Sequence, residues 1–145
     1  MQRALQTRVV PQLRERGFGG SFPHFRRAGS VQTDLLTFQF NKWGRSFIIE
    51  LGRATVVPYQ NAMGQVIPAN ELSTWDLALA DRARLHAGRW ARRELWFRFG
   101  PSLRWWRNPR RFDRTADQVV ALLPQAHAWW AGAPEPQGIL MYTSA

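Results

Sequence analysis

The chain has 145 residues and a mass of 16.8 kDa, and 45% of its residues are hydrophobic, which fits one globular domain. Because it contains no cysteine, disulfide frameworks, thiol catalysis and cysteine-ligated zinc are excluded. No segment reaches the roughly 18 apolar residues of a membrane span, and the first residues lack the features of a signal peptide, so we expect a cytoplasmic protein without membrane contact.

The N-terminal part of the chain predicts a helix and then a short strand. Leu5, Val9 and Leu13 recur every four residues with arginines between them, which indicates an amphipathic helix over residues 2–16. A glycine-rich turn follows. Residues 21–27 then predict a short edge strand, since they contain two phenylalanines and a proline.

The clearest strands lie in the middle of the chain. Apolar and polar side chains alternate over residues 33–41 and again over residues 47–51. The gap at Trp43-Gly44-Arg45 has the length of a turn, so the two segments predict an antiparallel hairpin with an aromatic and aliphatic inner face.

The second half of the chain carries weaker signals. In chain order, we predict a long loop over 58–70, a helical turn over 71–80, strands over 82–85 and 94–99, a basic loop over 101–111, and a helix from Asp113 to about Trp130. Asp113 is the predicted N-cap, because aspartate accepts hydrogen bonds from the free N–H groups of a first turn. Residues 132–145 are predicted to be a tail beyond a single domain of residues 1–131.

These elements together predict an α+β fold, in which an N-terminal and a C-terminal helix pack against an antiparallel sheet of about four to five strands. The core is predicted from the apolar stripes of these elements. Its members are Leu5, Val9, Leu13, Leu36, Phe38, Phe40, Phe47, Ile49, Leu51, Phe97, Val119, Leu122 and Leu123.

Five stretches occur in a recognisable order: LRERGFGGSFPHFRR, LLTFQFNKWGRSFIIELG, then after a long loop RARL, LWFRF and AWW. In this order they resemble a bacterial family of uncharacterised proteins, domain of unknown function 4304, over about residues 3–131. The helix end at Gly17-Phe18, the glutamine Gln39 and the pair Arg84-Leu85 carry most of the resemblance. It implies a small α+β domain but no established activity, and it carries over no catalytic or binding residue.

The residues show no motif of an enzyme. The three histidines lie in three different predicted elements, without a second ligand at metal-binding spacing, so we expect no metal and no cofactor. Gly17 to Gly20 follow a helix, whereas a phosphate-binding loop precedes one. We therefore predict a protein that is not an enzyme.

Two polar residues within the predicted hairpin leave alternatives open. Glu50 interrupts an apolar strand, and alternation favours the outer face for it; if it pointed inward it would need a partner such as Arg26, Arg45 or Arg53. Gln39 is either solvated or holds a loop through its amide. A cleft that joins both residues to a histidine would support an enzyme.

Charge is concentrated in one segment of the chain. The formal net charge is +10, and residues 82–114 contain eleven arginines but only two acidic residues, Glu94 and Asp113. Nineteen of the twenty basic residues are arginines, which reflects either a coding bias or the use of the guanidinium to bind carboxylates or phosphates.

This basic, aromatic segment is the predicted binding face. We expect it to bind an acidic protein, for example as the immunity partner of a toxin, in a fast and salt-sensitive association. The alternative is single-stranded nucleic acid, with arginines on phosphates and aromatic rings under bases. The candidate binding residues are Arg89, Arg92, Arg93, Arg98, Arg104, Trp105, Trp106, Arg107, Arg110 and Arg111.

Overall fold

The computed structural model describes residues 1–55, 58–86, 96–100, 110–134, 136 and 138–142. The predicted α+β fold is confirmed. The elements, in chain order, are α1 (Gln2–Glu15), β1 (Gly19–Ser21), β2 (His24–Ala28), β3 (Thr33–Phe40), β4 (Ser46–Ala54), β5 (Tyr59–Gln60), β6 (Val66–Ile67), β7 (Arg82–Leu85), β8 (Phe97–Arg98), α2 (Arg111–Trp130) and β9 (Ile139–Met141). Two short 3₁₀ turns, Thr74–Asp76 and Leu79–Asp81, precede β7.

The main sheet is antiparallel and has seven strands in the described part of the chain, two or more beyond the number predicted. Its order is β1-β2-β3-β4-β7-β9, and β8 pairs with the first residues of β4. The longest ladder joins β3 to β4, with Thr33 opposite Ala54 at one end and Phe40 opposite Phe47 at the other. This ladder confirms the predicted hairpin.

Both helices cover one face of the sheet. Leu5, Val9 and Leu13 form the buried stripe of α1, as their spacing predicts. Leu36 and Phe38 of β3 meet this stripe from the sheet, and apolar residues of α2 complete the core. Every residue of the predicted core is found in it, although Phe40 and Leu122 lie at its margin and are only partly buried.

The other face of the sheet is covered in part by the two 3₁₀ turns. Leu35 and Ala54 on this face pack with Leu72 and Leu77 in a second apolar cluster. Gly52 allows the close approach: a Cβ atom there would lie 2.6 Å from Leu77 Cδ1. The sheet is therefore buried on both faces at this end.

Several element boundaries differ from the predictions. The strand predicted over 21–27 is two strands, because the chain reverses at Phe22-Pro23 between β1 and β2. The loop over 58–70 contains the small β5–β6 hairpin, and the helical turn over 71–80 is 3₁₀ in type. Of the strand predicted over 94–99, Phe97 and Arg98 form β8, whereas 94 and 95 lie outside the described residues.

The predicted N-cap at Asp113 is wrong. The helix begins at Arg111 with Arg110 as N-cap, so that Asp113 lies in the first turn. There its carboxylate is 3.3 Å from Nε of Arg8, which ties the start of α2 to α1. A carboxylate in the first turn also interacts favourably with the positive end of the helix dipole.

Part of the segment predicted as a tail, 132–145, belongs to the sheet. Ile139–Met141 pair with β7 as the strand β9. Tyr142 follows and donates a hydrogen bond to Glu50 at 2.7 Å. The short length of this strand gives little periodicity in the sequence, which explains why it was not predicted.

The close contact at Gly52 gives a test of the packing on the face opposite the helices. We expect Gly52→Ala to lower the free energy of unfolding by about 1–3 kcal/mol, because the new methyl group would overlap Leu77 and crowd Leu35. Urea unfolding of the variant measures this loss. Gly19→Ala is the matched control, since its Cβ would meet no atom closer than 3.8 Å. Equal stability of the two variants would contradict this account of the packing.

Candidate functional site

The loop between β3 and β4 holds a tryptophan out in solvent. Asn41 Oδ1 accepts a hydrogen bond from the backbone N–H of Trp43 at 2.9 Å, and the backbone N–H of Asn41 donates to the carbonyl of Ser46 at 3.0 Å. A Cβ at Gly44 would lie 2.8 Å from Nδ2 of Asn41, so this turn favours glycine there. The Trp43 side chain is 88% exposed. The loop is thus held by its own hydrogen bonds around an exposed aromatic ring.

A cleft of about 640 Å³ opens beside this loop. Its walls come from the loop and from β8, which brings Arg98 opposite Ser46 and hydrogen-bonds the N–H of Phe99 to the carbonyl of Arg45 at 2.9 Å. The lining residues are Asn41, Trp43, Gly44, Arg45, Ser46, Trp96, Arg98 and Gly100. We call this site the hairpin cleft.

The hairpin cleft is basic and aromatic. Arg45 and Arg98 are exposed at its rim, and Nζ of Lys42 lies 5.2 Å from the centre of the Trp43 ring. Two indole rings and two guanidinium groups therefore line one opening. Such groups bind carboxylates or phosphates through the cations and planar or apolar groups through the rings.

The start of α2 lies at the same end of the sheet. The rings of Phe99, which follows β8, and Phe112 in the first turn of α2 are 5.9 Å apart. The guanidinium of Arg111 lies 4.4 Å from the centre of the Phe112 ring, and Arg110 is exposed next to it. This contact extends the basic surface from the cleft towards the helix.

The structure therefore places three of the predicted binding residues, Arg98, Arg110 and Arg111, at one end of the sheet. The other seven lie outside the described residues: Arg89, Arg92, Arg93, Arg104, Trp105, Trp106 and Arg107. Sequence reasoning missed Trp43 and Arg45 as binding residues: it placed both in a turn and considered Arg45 only as a partner of Glu50. A large apolar side chain within a polar turn was the available signal.

Glu50 lies on the face opposite the helices, as alternation favoured, yet it is only 1% exposed. Its carboxylate forms ion pairs with Arg82 and with Arg84, the latter at 3.3 Å, and accepts the hydrogen bond from Tyr142. Burial, and then this hydrogen bond to Glu50, raise the pKa of Tyr142.

The partners of Glu50 are thus neighbours on β7 and not Arg26, Arg45 or Arg53, the partners considered for an inward-facing carboxylate. The physical reason is the register, which sets Glu50 directly opposite Arg84. Glu50 is therefore buried on the outer face that alternation favoured, and its charge is paired there.

A row of polar residues crosses the sheet at Glu50. The register aligns His24 with Thr37, Thr37 with Glu50, and Glu50 with Arg84. His24 Nδ1 lies 3.1 Å from Oγ1 of the buried Thr37, and its ring contacts Trp75 edge-on at 4.8 Å. The threonine therefore separates the histidine from the carboxylate by a full strand.

This row does not form the cleft that would support an enzyme. No hydrogen bond joins Glu50 to His24 among the described residues, and Gln39 is exposed. Within the same part of the chain, no three His, Asp or Glu side chains lie close enough together to hold a metal ion. No described helix is long and apolar enough to cross a membrane.

Comparison with known proteins identifies the family of this chain. The family model described as domain of unknown function (DUF4304) matches residues 9–133. The chain belongs to this family. The resemblance seen in the sequence is thereby confirmed, and the match extends from the middle of α1 to just past the end of α2. No curated protein and no solved structure matches this DUF4304 chain.

The buried carboxylate gives a prediction for stability. Glu50→Gln leaves two partly buried arginines without a counter-charge, so we expect a loss of about 3 kcal/mol in the free energy of unfolding. Tyr142→Phe removes one hydrogen bond, which is expected to cost about 1 kcal/mol. Urea unfolding checks both values against the exposed control Glu71→Gln, which should change stability by less than about 0.5 kcal/mol. A Glu50→Gln protein as stable as this control would show that the ion pairs contribute nothing.

His24 gives a prediction for pH. Burial, and then the charge of Arg26, lower the pKa of His24, while Asp76 opposes this shift. A histidine with a lowered pKa binds its proton more readily in the unfolded chain, so its contribution to stability is present above the unfolded pKa of about 6.5 and is lost as pH falls through the folded pKa. We expect His24→Asn to remove part of the loss of stability seen on acidification below pH ~6.5 in thermal unfolding. An unchanged pH profile would contradict this assignment.

Proposed function

We propose that this protein is a non-enzymatic interaction domain that binds an acidic protein at the hairpin cleft and the adjoining basic surface, as an immunity protein binds a toxin. The observation that carries the proposal is the Trp43 side chain, which is almost fully exposed although hydrogen bonds fix the loop around it. An exposed tryptophan held in this way gains apolar burial on binding at a small cost in conformational entropy.

The neighbours of Trp43 indicate the charge of the partner. Lys42, whose Nζ contacts the ring, is exposed, and so are Arg45 and Arg98, which line the same cleft. The whole chain has a formal net charge of +10. Tryptophan and arginine are the residues most enriched in the energetic centres of protein interfaces. A positive rim around such a centre accelerates association with a negatively charged surface and makes it sensitive to salt.

The buried polar row supports a role other than catalysis. A general acid or base needs access to substrate, whereas Glu50 is enclosed and engaged by two arginines and a tyrosine. The same groups account for the burial of its charge by ordinary structural means. The hairpin cleft, in contrast, presents an exposed tryptophan and two exposed arginines.

Single-stranded nucleic acid is the second candidate, because the same cleft offers both of the groups that bind it. Trp43 presents a face for stacking, and Arg45 and Arg98 are cations within the same opening. Protein and nucleic acid differ in the salt dependence of binding, since each phosphate contact releases counter-ions.

A paired variant tests the proposal. We expect the double variant Trp43→Ser with Arg98→Gln to capture at least about tenfold less of one acidic protein from an extract of the source cells than the wild type does. Quantitative mass spectrometry measures the captured amounts. The control is Met63→Ser with Arg3→Gln, which removes one exposed apolar side chain and one exposed cation elsewhere. Identical captured proteins for the two variants would overturn the proposal.

The same proteins are then mixed with labelled RNA and DNA oligonucleotides at ~50 to 300 mM salt. A protein-binding domain should retain no oligonucleotide at ~150 mM salt. Tight binding that quenches tryptophan fluorescence, falls steeply with salt and is lost only in the cleft variant would support nucleic acid instead.

A further inference from the structure

The outer edge of β3 is open at its last residue, Phe40. β2 pairs with β3 only as far as His24 opposite Thr37, because the chain turns away at Phe22-Pro23. Beyond that pair, the N–H of Phe38 donates to the carbonyl of Pro23 at 3.0 Å. Within the described residues, no strand continues alongside Phe40 on this side.

The hydrogen-bonding direction of Phe40 follows from alternation along the strand. The N–H of Asn41 points to β4, where it donates to Ser46, and the N–H of Phe38 points the other way, to Pro23. Successive residues of a strand direct their main-chain groups to opposite neighbours. The N–H and C=O of Phe40 therefore point away from β4, to the open edge.

A groove of about 530 Å³ runs along this edge. Phe22 and Pro23 line it on the side where β2 begins, Phe38 and Phe40 come from β3, and Trp75 stands at the rim with 53% of its surface exposed. Its rings are packed: Phe22 stacks on Phe38 at 5.2 Å. An apolar channel thus lies directly beside unpaired main-chain groups.

The polar residues of this groove are all carboxamides. Gln2 and Gln6 extend from α1 on one side, and Gln39 lies on the Trp75 side. None of the described lining residues is charged, although the chain has a net charge of +10. The groove therefore matches an uncharged ligand that both donates and accepts hydrogen bonds, which is the chemistry of a peptide backbone.

We propose that this groove binds an extended, uncharged segment of a partner protein, which adds as a short strand to the open edge of β3. The N–H and C=O of Phe40 can form two main-chain hydrogen bonds with one residue of this segment, and the apolar groove can bind the side chains next to that residue. Alternate side chains of the segment enter the groove towards Phe22 and towards Trp75. This site uses neither Trp43 nor the arginines, so it is a second recognition surface, independent of the proposed function.

The probes are random octapeptides displayed on phage, selected on the full chain at about 0.5 M NaCl to suppress charge-driven binding at the hairpin cleft. We expect uncharged peptides with apolar residues at alternate positions to be enriched. By fluorescence polarisation, Trp75→Ala should weaken the best synthetic peptide at least about tenfold, whereas Trp43→Ala, the matched control at the hairpin cleft, should leave it unchanged.

Two measurements on the unmodified protein test strand addition itself. N-methylation at successive positions of the selected peptide should abolish binding at the one residue whose N–H faces the C=O of Phe40. It should be tolerated at the two neighbouring positions, because their N–H groups point away from the edge. Amide exchange of Phe40 should slow on binding.

Four results would overturn the proposal. The first is that no peptide is enriched, or that Trp75→Ala binds the enriched peptides as well as the wild type does. The second is that N-methylation has the same effect at every position of the peptide. The third is that the wild-type protein self-associates through Trp75, which would make a second copy the occupant. Loss of peptide binding in Trp43→Ala alone would assign the peptides to the hairpin cleft and also count against this groove.

Discussion

The register between β3 and β4 determines where the other important side chains of the sheet lie. In this ladder Phe40 lies opposite Phe47, and Thr33 lies opposite Ala54. It directs the phenylalanines of both strands to the helices. It also determines where the hairpin loop begins, and therefore where the exposed Trp43 side chain lies. A shift of one residue would exchange the two faces and bury the polar row among the helices.

The two faces of the sheet are stabilised in different ways. The helix side is apolar and needs only close packing, which α1 and α2 supply. The other side carries Glu50 in a nearly closed environment, where the arginines of β7 and the hydroxyl of Tyr142 satisfy its charge. This network connects the central strand β4 to β7 and to Tyr142, which follows β9. The end of the sheet with the hairpin carries the two surfaces for which we propose a role in recognition.

The sequence predicted the features that periodicity determines. The stripe of α1 and the alternation of β3 and β4 repeat over enough residues to define their faces, and the order of motifs identified the family. Burial of Glu50 was not predictable, because its partners Arg82, Arg84 and Tyr142 come from distant parts of the sequence and reach the carboxylate only in the folded sheet. The exposure of Trp43 depends likewise on hydrogen bonds from Asn41 that a turn-length gap does not reveal.

The central proposal is that an acidic partner protein binds at the hairpin end of the sheet. Trp43→p-benzoylphenylalanine, introduced into the protein in its source cells, tests this directly by photocrosslinking, with Met63→p-benzoylphenylalanine as an equally exposed apolar control. The account predicts a crosslinked acidic protein from position 43 and none from position 63. Adducts at 63 alone, or at neither position, would contradict it.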